Sequence, residues 1–109
     1  MPAPTIQQVF GDGATQDATS LIVAKADLGS VGLTGSATNT AQSLLAATLL
    51  KAKAVLTPEN FAINPDQRVV IEESFETLVE RNDEQYRQKS YTVTLYKLES
   101  TATIDPDDY

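Results

Sequence analysis

The chain of 109 residues has no cysteine and no histidine. Without cysteine there is no disulfide framework and no thiolate chemistry. Without histidine it lacks the commonest general acid and base, the commonest transition-metal ligand and every His-based triad. Positive charge is also scarce: eight Lys and Arg against fifteen Asp and Glu give a net charge of −7. That balance argues against nucleic acid as a partner, because phosphate recognition needs a basic footprint. No apolar run has the length of a membrane span. The longest, Leu44 to Leu56, is cut by Thr48, Lys51 and Lys53. The start, Met1-Pro2-Ala3-Pro4, lacks the basic and apolar regions of a signal peptide. These absences lead us to expect a chain that is not an enzyme, takes no cofactor, metal or small-molecule substrate, and is made in a cytoplasm.

What is present is distributed unevenly. Residues 1–56 hold three acids and three bases, whereas residues 57–109 hold twelve acids and five bases. All five glycines lie at or before Gly35, and only Phe10 of the aromatics lies in the first half. The length corresponds to one domain, residues 1–109, with an N-terminal arm over 1–5 and an acidic tail over 100–109. A domain this small exposes much of its surface, so a helping partner is expected.

Ile6 to Phe10 alternates enough to predict a short strand, closed by the turn Gly11-Asp12-Gly13 and able to pair with β-rich Thr19 to Ala26. Asp27 to Ser36, with Gly29, Gly32 and Gly35, predicts a loop whose Val31 and Leu33 dock on another surface. Asn39 and Gln42 form a box-like start to a helix rich in Ala, Leu, Gln and Lys that runs to Leu56. Thr57-Pro58-Glu59 stops it and can open a further short turn of helix. On the helical wheel Leu45, Leu49, Ala52 and Leu56 make the core stripe. Leu44 and Val55 lie to one side of that stripe and Leu50 to the other. So wide an apolar arc is covered either by the rest of its own domain or by a neighbouring subunit.

Val69 to Arg81 fits a strand or a helix, and its Val, Ile, Phe and Thr content favours the strand. As a strand it places Glu72, Glu76 and Glu80 on one face, as it also would as a helix. Asn82 to Ser90 predicts a polar connection, and Tyr91 to Leu98 is the clearest strand in the chain. The expected fold class is therefore α+β: an N-terminal β-hairpin, one central Ala/Leu-rich helix, a C-terminal antiparallel β-hairpin and extended terminal arms.

Few groupings suggest chemistry. Gly11-Asp12-Gly13 has Gln16 where a dinucleotide loop needs its third glycine, so a plain turn explains it. Glu72, Glu76 and Glu80 resemble a carboxylate pair in spacing, but no pocket-forming pattern surrounds them. Asp105, Asp107 and Asp108 lack the glycine and distal glutamate of a calcium loop. Arg81, Arg87 and Lys89 interleave with Tyr86 and Tyr91, yet Asp83 and Glu84 neutralise them locally. A basic loop and acidic faces within one chain allow head-to-tail contacts between copies. The expected interface residues are Leu44, Leu50, Val55, Glu72, Glu76, Glu80, Arg87 and Tyr109.

Thr5 to Leu28, the Leu/Ala helix and Glu73 to Leu98 together resemble small virion proteins of tailed bacteriophages and products of prophage regions. The resemblance spans most of the chain as a style of sequence: cysteine-free, histidine-free, acidic, rich in Thr and Ala, with extended strands and arms. It implies a structural subunit of head, neck or tail, a homo-oligomer located in the virion and assembled in the host cytoplasm, whose partners are itself and other particle proteins. That class has no shared site pattern, so no functional residue follows from it. Should the chain not be viral, a cytoplasmic acidic binding module or regulatory subunit engaging a basic protein through Glu72, Glu76 and Glu80 is the alternative.

Overall fold

The computed structural model describes residues 2–97 and 106–109. Its elements run α1 (Ile6–Phe10), β1 (Thr15–Gln16), β2 (Leu21–Ile22), a stretch of 3-10 turns (Lys25–Val31), α2 (Ala41–Lys53), α3 (Pro58–Ile63), β3 (Val69–Arg81), β4 (Glu84–Leu95) and a last 3-10 turn (Pro106–Asp108). Two separate two-stranded antiparallel sheets result, β1 with β2 and β3 with β4, so the fold is α+β with one hairpin before α2 and α3 and one after them.

The N-terminal hairpin takes one strand, Leu21–Ile22, from the expected Thr19 to Ala26, but not the other from Ile6 to Phe10. Ile6–Phe10 is helical, because capping outweighs the β preference of Ile, Val and Phe over so short a stretch. The Thr5 hydroxyl accepts from the Gln8 amide at 3.1 Å, and the Gln8 side chain accepts from the Thr5 amide at 2.9 Å. Gly11 ends the helix at φ 117°, pressed against Asp27 so closely that a Cβ there would lie 2.4 Å from the Asp27 Cβ. The Asp27 carboxylate in turn accepts from the Gly13 amide at 2.7 Å, which makes Gly11-Asp12-Gly13 a structural turn. The hairpin then forms from Thr15–Gln16 and Leu21–Ile22, closed by Asp17.

Thr40, not Asn39, caps α2, its hydroxyl accepting from the Ser43 amide at 3.0 Å. Asn39 fastens the preceding loop instead: it accepts from the Ser36 amide at 2.9 Å and donates to the Thr34 carbonyl at 3.0 Å. The helix ends at Lys53 rather than Leu56, and Ala54 to Leu56 turn into α3. Thr57 and Pro58 open α3, the Thr57 hydroxyl accepting from the Asn60 amide at 3.0 Å.

The core sits where α2, its following turn and the base of β3 meet. Ala52, Leu56 and Ile71 are buried together, with Val9, Leu49, Val69 and Tyr91 packed around them. The Ile71 amide donates to the Leu56 carbonyl at 2.8 Å, binding the outer edge of β3 to the helical layer. Gln67 is buried but satisfied, its amide donating to the Thr57 and Val69 carbonyls at 3.1 and 3.0 Å. Phe61 of α3 stacks on Tyr96 at 4.4 Å between centroids, and the Asn64 side chain holds the Pro2 carbonyl at 3.0 Å. Among the described residues the core is small: of the buried apolar residues Ala14, Leu28, Ala47, Ala52, Leu56, Val70 and Ile71, three are alanines. The radius of gyration of 16.1 Å exceeds the roughly 13 Å expected of a compact domain of about 100 residues.

Candidate interaction surface

The second hairpin is the most exposed part of the described structure. Val69–Arg81 is a strand, and its partner begins at Glu84, not at Tyr91 as expected. Asn82 and Asp83 carry the chain round in two residues, at φ 53° and 62°, the left-handed pair of a type I′ turn. Asn and Asp accept that conformation better than other side chains. The supposed polar connection Asn82 to Ser90 is therefore a turn and half a strand.

Register divides this hairpin in two. At its base Val69 to Glu73 pair with Leu95 to Tyr91, and at its tip Glu76 to Arg81 pair with Lys89 to Glu84. Between them Ser74 and Phe75 stand opposite Ser90 alone, a β-bulge. The extra residue shifts the alternation of β3. Val69, Ile71 and Glu73 share one face with Tyr91, and that same face continues beyond the bulge as Glu76, Leu78 and Glu80 opposite Lys89, Arg87 and Gln85. The other face carries Val70 and Glu72, then Phe75, Thr77 and Val79, opposite Thr94, Thr92, Gln88 and Tyr86.

Contacts agree with this division. Arg87 bridges Glu76 at 2.7 Å, and Lys89 lies 3.9 Å from both Glu73 and Glu76, all on the first face. On the second, the Ser74 and Thr92 hydroxyls are 2.7 Å apart. The common face expected for Glu72, Glu76 and Glu80 is thus broken: Glu72 is on the opposite side from the other two. A bulge is invisible to a simple alternation, which is why the sequence suggested otherwise.

Beyond its base the hairpin is exposed to solvent among the described residues. Every residue from Glu72 to Lys89 is exposed, on both faces. Phe75 is 71 % exposed and Leu78 56 %, with Val79 and Tyr86 exposed beside them. The six pairs at the tip extend for about 20 Å at 3.3 Å per residue. We call residues 72–90 the arm. Among the described residues, both of its edges offer unpaired backbone groups.

The other expected interface residues have different surroundings. Leu44, Leu50 and Val55 are half-buried. Leu50 borders a depression shared with Val31, Leu33, Ala46 and Ala47, so the glycine-rich segment docks on the chain's own helix. Val55 faces Pro2, Pro4 and Asn60. The bare side of α2 belongs instead to Leu45, expected in the core but 72 % exposed. Tyr109 is half-buried in a groove of about 430 Å³ lined by Pro4, Val9, Phe10, Leu56 and Val69 among others, and its buried hydroxyl has no hydrogen-bond partner among the described residues.

Chemistry is sparse among the described residues. No group of three or more His, Cys, Asp or Glu is arranged to hold a metal ion, and no helix is long and apolar enough to cross a membrane. Asp105 lies outside the described residues. Asp17 has its pKa lowered by hydrogen bonds from the Thr19 amide and hydroxyl and the Ser20 amide, at 2.8, 3.0 and 2.9 Å, which organises the β1–β2 turn. No family model matches this chain, and neither a curated protein nor a solved structure matches it.

Proposed function

We propose that this chain is a non-enzymatic structural subunit of a phage particle, in the head, neck or tail, or of a comparable assembly, and that it works by contact with copies of itself and with other structural proteins. The arm carries this reading: a ribbon with large apolar side chains on show is attached to a body with few buried residues. Covering a side chain such as Phe75 or Leu78 is worth roughly 1.5–3 kcal/mol, which the isolated chain leaves unused. The phage assignment rests on the resemblance in sequence style alone. A single acidic face for one basic partner has less support, since Glu72 stands opposite Glu76 and Glu80.

The test is the mass of the native full-length chain by light scattering over a concentration series, with mass spectrometry of purified phage particles for the location. A cooperative oligomer and recovery in particles are expected. A monomer at every concentration overturns the assembly, and absence from particles overturns the location.

A further inference from the structure

Building on the assembly reading, the geometry of the arm points to one mode of contact: the edge of β4 in one copy pairs with the edge of β3 in the next, with all arms pointing the same way. The turn decides which residues are available. In a two-residue hairpin the flanking pair, here Arg81 and Glu84, is hydrogen-bonded within the ribbon, and such pairs alternate with pairs whose backbone groups point outward. The outward groups at the tip therefore belong to Glu76, Leu78 and Glu80 on β3, and to Gln85, Arg87 and Lys89 on β4.

These two edges have opposite charge. From Glu72 to Arg81 the arm's β3 carries four acids and one base, whereas β4 from Glu84 to Lys89 carries one acid and two bases. Two-fold pairing of β3 with β3 about Leu78 would set Glu76 against the Glu80 of the other copy, and β4 with β4 about Gln88 would set Arg87 against Lys89. Like charges directly opposed are unfavourable in a sheet and opposite charges favourable. Only β4 on β3 satisfies both edges, and Glu80 makes no ion pair among the described residues until a neighbour supplies one. The occupant of each edge is thus a second copy of this chain. In an antiparallel sheet this order places successive arms side by side in one direction. The contact is heterologous, and it repeats until it closes as a ring or continues as a filament. The base of β3 is excluded from it, because its outer edge is already held by Leu56.

Because the chain has no native cysteine, cross-linking reads the contact cleanly. Leu78→Cys on β3 and Gln85→Cys on β4 lie on the same sheet face, and a short bismaleimide spans neighbouring positions. Mixing the two full-length variants is expected to give a covalent dimer that neither gives alone. Arg87→Glu with Lys89→Glu makes both edges acidic, and Glu76→Lys with Glu80→Lys makes both basic. Each double variant alone is expected to raise the concentration needed for assembly roughly tenfold or more, and the two mixed restore it. A dimer from Leu78→Cys alone or from Gln85→Cys alone overturns the head-to-tail order in favour of two-fold pairing. An oligomer by light scattering with no arm cross-link overturns the arm contact and leaves the assembly reading standing. A monomer throughout overturns both.

Discussion

The body and the arm of this protein are stabilised by different means. In the body, side chains close every local decision: Thr5, Thr40 and Thr57 cap helices, Gln67 satisfies two buried carbonyls, and Leu56 and Ile71 meet in the core. The arm has no core. Its order depends on backbone pairing, one two-residue turn and exposed ion pairs such as Arg87 with Glu76, each worth about 0.2–1 kcal/mol. A two-stranded ribbon alone is marginal in water. A region built in this way contributes little to holding its own chain folded, so its apolar side chains are free to serve a contact elsewhere.

The sharpest way to break that contrast is at the base of β3. Ile71→Ala empties the core position shared with Ala52 and Leu56 and is expected to cost about 2–4 kcal/mol in urea denaturation. Because β3 is continuous, the arm should lose its attachment in the same transition. Next comes the turn. Asn82→Val places a β-branched residue at φ 53° and should cost about 1–2 kcal/mol, felt as faster amide exchange from Glu76 to Lys89 while the body's exchange is unchanged. Thr57→Ala removes the cap of α3 and should cost about 1 kcal/mol, this time in the body alone.

Smaller again is the effect of replacing Phe75, Leu78 and Val79 with serine. Each change should shift the monomer's denaturation by no more than about 0.5 kcal/mol, as for other exposed sites, while the native mass falls. A large loss of stability in the monomer would erase the distinction between body and arm. Last is Asp17. Its folded pKa is depressed, so its contribution to the β1–β2 turn is full above the ordinary carboxylate value and is lost as pH falls through the lowered one. NMR shifts of Thr19 and Ser20 should report that acid transition, Asp17→Asn should remove it, and the arm should not sense it.

Much of the secondary structure was legible in the sequence where a pattern ran long enough. The strand expected over Tyr91 to Leu98 is present as far as Leu95, with Leu98 outside the described residues, and the Ala/Leu content of α2 and the Thr57-Pro58 start of α3 match the structure. Five residues are too few to show a period, so α1 was hidden, although Thr5 and Gln8 spell its capping box. Asn82-Asp83 was the one available sign that a hairpin turns there, and the charged residues after it masked the strand. Leu45 sits on the helical stripe with Leu49 and Ala52, yet it is 72 % exposed, so the stripe alone did not tell which of its residues the described elements cover. Which face each glutamate occupies depended on a bulge that no residue type announces.

That bulge turns one residue of length into half a turn of orientation. Were the strand regular, Phe75, Thr77 and Val79 would continue the face of Val69 and Ile71, and the arm would present its oily side in line with the body's own core. With Ser74 and Phe75 sharing one partner, the two halves of a single strand are set out of phase, and the apolar side looks the other way. The parity of the arm is therefore a matter of counting rather than of composition. Deleting Ser74 would remove the bulge and leave each face as it is, whereas one residue inserted after Ser90, giving Ser74 a partner of its own, would keep the pairs along the ribbon and invert what a neighbouring molecule meets.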